Sequence, residues 1–146
     1  MSEPILLMPP HEKAVVVGTW LYEESEEDML DSLAELESLL KTLKVETVGR
    51  ILQKRAKLNP ATLIGTGKVE EIRELADEHN AELIVVDRPL APPQVRNIEK
   101  MTGKQVMDRA GVILEIFARH ARTNQAKTQV EIARLEYLLP RLTGAW

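Results

Sequence analysis

The chain has 146 residues, a net charge of −4 and few aromatics, so it is the size of one globular domain with a core of Leu, Ile, Val and Ala. It has no cysteine, which excludes disulfides, thiolate metal sites and cysteine nucleophiles. No apolar run approaches the ~18 residues of a membrane span, and residues 1–10 lack the basic start of a signal peptide and read as a loose lead-in.

Taken in order, Lys13 to Gly18 is a β-branched run that suits a strand buried on both faces. An acidic segment follows. Ser25 with Asp28 three residues later is a capping-box pattern, and Met29, Leu33, Leu36, Leu40 and Leu43 then mark one helix face. Acids crowd the first turn, and Lys41 and Lys44 sit in the last, both favourable to the helix dipole. Val45 to Leu52 alternates as a second strand, with Gly49 marking a bulge or a close approach.

A polar stretch leads to Gly65-Thr66-Gly67-Lys68 and a helix whose buried stripe is Val69, Ile72, Leu75 and Ala76. Glycine amides at that helix start could hold a phosphate, which makes Gly65, Gly67 and Lys68 candidate ligands. The spacing is not a P-loop, since Thr62 and Val69 stand where glycine and Ser/Thr are required. The plainer reading is a tight turn with Thr66 as N-cap. Ala81 to Val86 is a third strand. Pro92-Pro93 starts a helix striped by Val95, Ile98 and Met101 and closed by Gly103, and Lys104 to Met107 is a fourth strand.

Asp87 and Asp108 each follow an apolar strand, and parallel strands bring their carboxyl ends to one edge. Two acids there could bind Mg²⁺. Alternatively each caps the next segment and pairs with an arginine. His11, His79 and His120 lack metal-ligand spacing and read as solvent-accessible, and the serines show no strained nucleophile turn.

The alternation of strands and helices predicts an α/β fold: a small, mostly parallel four-stranded sheet with flanking helices. The segment from Asp108 to about Ala121 should pack on that sheet through Ile113, Ile116, Phe117 and Ala121. A long final helix from about Asn124 has no strand after it. Its stripe of Val130, Leu135, Tyr137 and Leu139 therefore wants a partner, and self-association through it is expected. The chain stops at Trp146 without a polar tail, which reads as a truncation.

Charge is uneven along the chain. Residues 1–46 carry net −8 and residues 47–146 net +4, with Arg119, Arg122, Lys127, Arg134 and Arg141 concentrated near the end. A polyanion partner fits that end; a merely solvated helix face is the competing explanation.

Three segments carry a family resemblance: NPATLIGTGKVEEI, LAPPQVRNIE, and VMDRAGVILEIFARHARTNQAKTQVEIARLEYLLPRL. Together they make the chain resemble the N-terminal domain of HflX-type ribosome-associated GTPases, over about 90% of its length. Ala91-Pro92-Pro93 departs from the commoner Ser-Pro-x, and His120-Ala121 from Arg-Ala. The resemblance implies an α/β subdomain over 1–121 and the start of a helical arm over 122–146. The final helix would then be half of an antiparallel hairpin, cut before its partner and before the GTP-binding domain. It implies no catalytic or metal-binding residue here, no GTP hydrolysis by this chain alone, and GTP and Mg²⁺ for the full-length protein. It implies a cytoplasmic protein with no membrane contact. The expected partners are its own GTPase domain and the large (50S) ribosomal subunit, in translation or ribosome splitting and recycling. Arg119, Arg122, Lys127, Arg134 and Arg141 would meet rRNA phosphates.

Overall fold

The computed structural model describes residues 12–142; the lead-in at residues 1–10, His11 and Trp146 lie outside them. The described residues form four strands and five helices in the order β1 (Lys13–Leu21), α1 (Glu26–Thr42), β2 (Glu46–Arg55), α2 (Thr66–Glu78), β3 (Leu83–Val86), α3 (Pro92–Thr102), β4 (Gln105–Asp108), α4 (Arg109–His120) and α5 (Asn124–Leu142). The strands make one all-parallel sheet in the order β2-β1-β3-β4. The α/β expectation therefore holds, and the sheet is parallel throughout.

Strand alternation divides the core into two layers. Ala14, Val16, Leu83, Val85 and Met107 face α1, where Met29, Leu33, Leu36 and Leu40 pack as the heptad-like spacing predicts. Val15, Val17, Ile84, Val86 and Val106 face the other way, onto Val69, Ile72 and Ala76 of α2 and Val95 and Ile98 of α3. A central parallel strand must be apolar on both sides, and AVVV and LIVV are.

Local signals account for most boundaries. The Ser25 hydroxyl accepts the Asp28 amide at 3.1 Å and starts α1. At the other end, Val45 N–H reaches the Leu40 carbonyl and Lys44 N–H the Lys41 carbonyl, with Lys44 left-handed at φ 62°. That is a Schellman ending. Helix α2 ends the same way on Asn80 (φ 57°), and α3 ends on Gly103 (φ 71°). At Gly49 both sequence readings apply. The β1–β2 register shifts beside it, and an added Cβ would lie 2.5 Å from Leu75.

Several expectations need correction. Strands β1 and β2 run on to Leu21 and Arg55, past their predicted ends, because the two pair with each other along their whole length. Thr66 is not the N-cap of α2: Gly65 is, and its amide is taken by the Gln53 side chain at 2.9 Å, which anchors the turn to β2 instead. Met101 is 39% exposed while Thr102 is buried, its hydroxyl bonded to the Ile98 carbonyl. In α4 the buried face is Gly111, Val112 and Glu115, leaving Phe117 57% exposed.

The last correction concerns α5. It does not stand alone. It folds back along α4, with Tyr137 beside Asp108 and Gly111, and Arg134 beside Glu115. Tyr137 and Leu138 join the α1-side core, whereas Ile132, Leu139 and Leu142 stay exposed on the outer side. Gly111 permits this approach, since a Cβ there would sit 2.8 Å from the Tyr137 hydroxyl and 2.6 Å from Met107. Gly111→Val should therefore destabilise the chain by about 1–3 kcal/mol through overpacking. Urea unfolding measures this, and an unchanged midpoint would contradict the close α4–α5 contact.

Candidate nucleic-acid interface

The carboxyl ends of the strands gather several charged groups, and the structure shows each of them to be engaged. Strand order reverses direction between β1 and β3, where open α/β sheets place ligands. Here Arg88, just after β3, spans that crevice. Its Nη1 donates to Glu24 at 2.7 Å and to the Thr19 carbonyl at 3.3 Å, and its Nη2 donates to Glu24 at 3.1 Å. The Arg88 guanidinium, helped by the Leu21 amide, holds the Glu24 carboxyl down from an ordinary 4.5 to about 2.

Asp87 and Asp108 do meet at this edge, but neither is free to take a cation. Asp87 Oδ1 accepts Arg109 Nε at 2.9 Å, while the same guanidinium also reaches Glu35 and Ser32 of α1. Asp108 is 3% exposed, caps α4 through the Gly111 amide at 3.3 Å and accepts the Leu90 amide at 3.0 Å. It also accepts the Tyr137 hydroxyl at 2.7 Å and lies 3.5 Å from Arg141 Nη2. Burial first, then the Asp108 charge, pushes the Tyr137 phenol up, so it stays a donor across the physiological range. The pairing of each Asp with an Arg thus describes this edge, and the residues here do not fit Mg²⁺. Among the described residues no group of three or more His, Asp or Glu is arranged to hold a metal ion.

The Gly65–Lys68 turn opens α2 beside the end of β2. Gly65 N–H is occupied by Gln53, Lys68 pairs with Glu71 at 2.9 Å, and Gly67 alone is open, with nothing within 4 Å of an added Cβ. The structure brings these three residues together as the start of a helix, with part of their hydrogen-bonding capacity already used.

The five basic residues of the last segment separate into two groups. Arg134 is 2% exposed, its guanidinium donating to Glu115 at 2.7 Å and to Glu131 at 3.3 Å. Arg141 stacks 3.5 Å over the Tyr137 ring and bonds the Tyr137 and Leu90 carbonyls. Both guanidiniums are thus engaged within the fold, Arg134 fully buried and Arg141 largely covered. Lys127, Arg134 and Arg141 are seven residues apart and so share one stripe of α5. That stripe faces α4, where Glu115 and the N-cap residue Asp108 hold the two arginines, and its exposed member, Lys127, lies near the hinge at 121–123.

At the hinge the charge is open. Arg119, Arg122 and Lys127 are exposed, and none of them closes an ion pair among the described residues. Arg119 Nη1 rests 3.4 Å from the Leu43 carbonyl at the end of α1. His120 is exposed beside them, its ring bonded to the Ile116 carbonyl, and His79 is exposed elsewhere, at the end of α2. Thr123 caps α5 through the Ala126 amide at 3.0 Å. Sequence reading placed Tyr137 only in an apolar stripe and missed Glu115 and Glu24. For the first, the signal was available: Arg134, Tyr137 and Arg141 recur at three and four residues, a polar stripe on the face that α5 buries.

Residues 30–118 match the family model described as GTP-binding GTPase N-terminal, and residues 120–146 match the GTP-binding GTPase middle region. The chain is 45% identical over 135 residues to the GTPase HflX of Flavobacterium psychrophilum, covering 92% of this chain and 33% of that protein. It is 40% identical over 135 residues to the GTPase HflX of Escherichia coli, covering 92% and 31%. It thus spans about a third of the length of the curated relatives it matches. A solved GTP-binding protein from the hyperthermophilic archaeon Sulfolobus solfataricus, in complex with GDP, superposes with a TM-score of 0.65 at 26% identity, over 92% of this chain and 39% of that one.

Two outcomes follow from the site geometry. Removing one partner of a buried ion pair leaves the other uncompensated, so Arg134→Met should cost about 3–5 kcal/mol, and adding Glu115→Leu should recover most of it. Denaturant unfolding of the three proteins decides this, and additive losses would sink the pairing. The Glu24–Arg88 latch has the depressed-carboxylate sign: its stabilisation is complete above the ordinary carboxyl range and is lost as pH falls from about 4.5 towards 2. Glu24→Gln should therefore flatten the acid limb of a Tm-against-pH curve over that interval, and an unaltered limb would refute the latch.

Proposed function

The chain belongs to the GTP-binding GTPase N-terminal family, in its HflX type, and from that premise we propose that it is the ribosome-contacting and regulatory domain of a cytoplasmic GTPase acting on the large subunit in translation or ribosome splitting. The observation that carries this reading is the open charge at the α4–α5 hinge. Arg119, Arg122 and Lys127 stand exposed there without carboxylate partners, while Arg134 and Arg141 are consumed inside the fold. Structured RNA is recognised largely through shape and backbone phosphates, so unpaired cations at the hinge suffice without a base-reading motif.

GTP binding and Mg²⁺ belong, in this reading, to a separate GTPase domain of the full-length protein. The sequence at Gly65–Lys68 is not a P-loop, and Asp87 and Asp108 are engaged within the fold. Its own part is placement. Helix α5 is held to the sheet by Tyr137 and Arg141 on Asp108, and by Arg96 on the Pro140 carbonyl at 3.2 Å. The outer stripe of Ile132, Leu139 and Leu142 suits a partner helix, which we assign to the returning half of the arm. No helix among the described residues is long and apolar enough to cross a membrane.

Replacing Arg119, Arg122 and Lys127 together by Gln should weaken co-sedimentation with purified large subunits. It should also reduce the slope of log affinity against log salt by roughly 2–3, at about 0.7–0.9 per phosphate contact. A slope identical to that of the parent chain would reject the hinge as the contact.

A further inference from the structure

Arg119 does not end in solvent alone: its guanidinium lies against the Leu43 carbonyl, which closes α1. The C-terminal ends of α1 and α4 are therefore side by side, although 76 residues separate the two contact residues. Lys44 follows the residue that Arg119 touches and Lys41 lies just before it, while Arg122 and Lys127 continue from Arg119 through the hinge into α5. All five are exposed, and none closes an ion pair among the described residues. Elsewhere Arg50, Lys68, Arg73, Arg88, Lys104, Arg109, Arg134 and Arg141 each meet a carboxylate, whereas Lys13, Lys54, Arg55, Lys57, Arg96 and Lys100 close no ion pair among the described residues and are scattered along the sequence. Of the neighbouring acids, Glu37 is committed to Arg50, and Glu46 closes no ion pair with the cluster among the described residues.

A second observation singles out Lys44. Three helices end on a left-handed residue: α2 uses Asn80, α3 uses Gly103, and α1 uses Lys44. Glycine or asparagine occupies that conformation at lower cost, so a lysine there is strained for no packing gain, since its side chain is exposed. Strain held at an exposed charged residue points to use of the charge.

We propose that Lys41 and Lys44 extend the hinge into one phosphate-binding ridge across the ends of α1 and α4, so that the acidic first third of the sequence contributes two of its five cations. The inference rests on the reading that the hinge meets structured RNA and deepens it. It names the sugar–phosphate backbone as the ligand chemistry and a second helix end as part of the contact.

Lys44→Gly gives opposite signs for the two roles. Relief of the left-handed strain should raise Tm by about 2–4 degrees. Loss of one phosphate contact should lower the salt slope for binding to purified large subunits by about 0.7–0.9, and Lys41→Gln with Lys44→Gln by about twice that. Lys57→Gln, on an exposed loop after β2, should leave the slope unchanged. A more stable Lys44→Gly chain with the parental slope, beside hinge variants that lose binding, overturns the ridge and spares the hinge. A parent chain whose binding is indifferent to salt, or that does not bind, overturns both.

Discussion

The buried carboxylate of Asp108 is the constraint on which the rest of this structure depends. A charge almost removed from water is tolerated only when several donors converge on it. Here four donors come from three parts of the chain: the first turn of α4, the loop after β3, and the Tyr137 and Arg141 side chains of α5. One residue thus ends a strand, starts a helix, fixes a loop and receives the last helix. The site that an open α/β sheet would use for a ligand is used here for assembly, and the cations freed for other work lie at the opposite ends of the helices.

The Arg134–Glu115 pair adds direction to that anchor. Hydrophobic contact alone would let α5 slide along α4 at modest cost. A buried guanidinium that must meet one carboxylate makes neighbouring registers expensive, because each would strand a charge. With Tyr137 and Arg141 one and two turns further on, α5 is held at its far half and leaves its near half to the hinge.

Much of the fold was legible because its signals are local. The apolar, β-branched runs at 13–18 and 81–86 suit strands buried on both faces, and Ser25 and Gly103 mark helix ends through their own chemistry. Gly49 could be read as a bulge or as a close approach, and it serves as both. The site was less legible because its partners are distant in sequence. Nothing local to Arg134 shows that Glu115 waits on the preceding helix, so a lysine- and arginine-bearing stripe read as one basic face. It divides only when α4 is laid against it. The net charge of the first 46 residues is likewise a poor guide to their surface, because Lys41 and Lys44 sit together at and just past the end of an otherwise acidic α1.

The long edge strand β2 has a consequence for how the chain behaves in company. Ten residues of a parallel edge present a row of unpaired amides and carbonyls, an invitation for another molecule to add a strand. The register shift beside Gly49 interrupts that row, and exposed Glu46, Arg50 and Lys54 place a charge at every fourth residue along it. Two of these are held in place, Arg50 by Glu37 and Lys54 over the Tyr22 ring at 5.4 Å. An incoming strand would have to match a broken register and desolvate fixed charges. The irregular register and the fixed charges together disfavour strand addition at this edge.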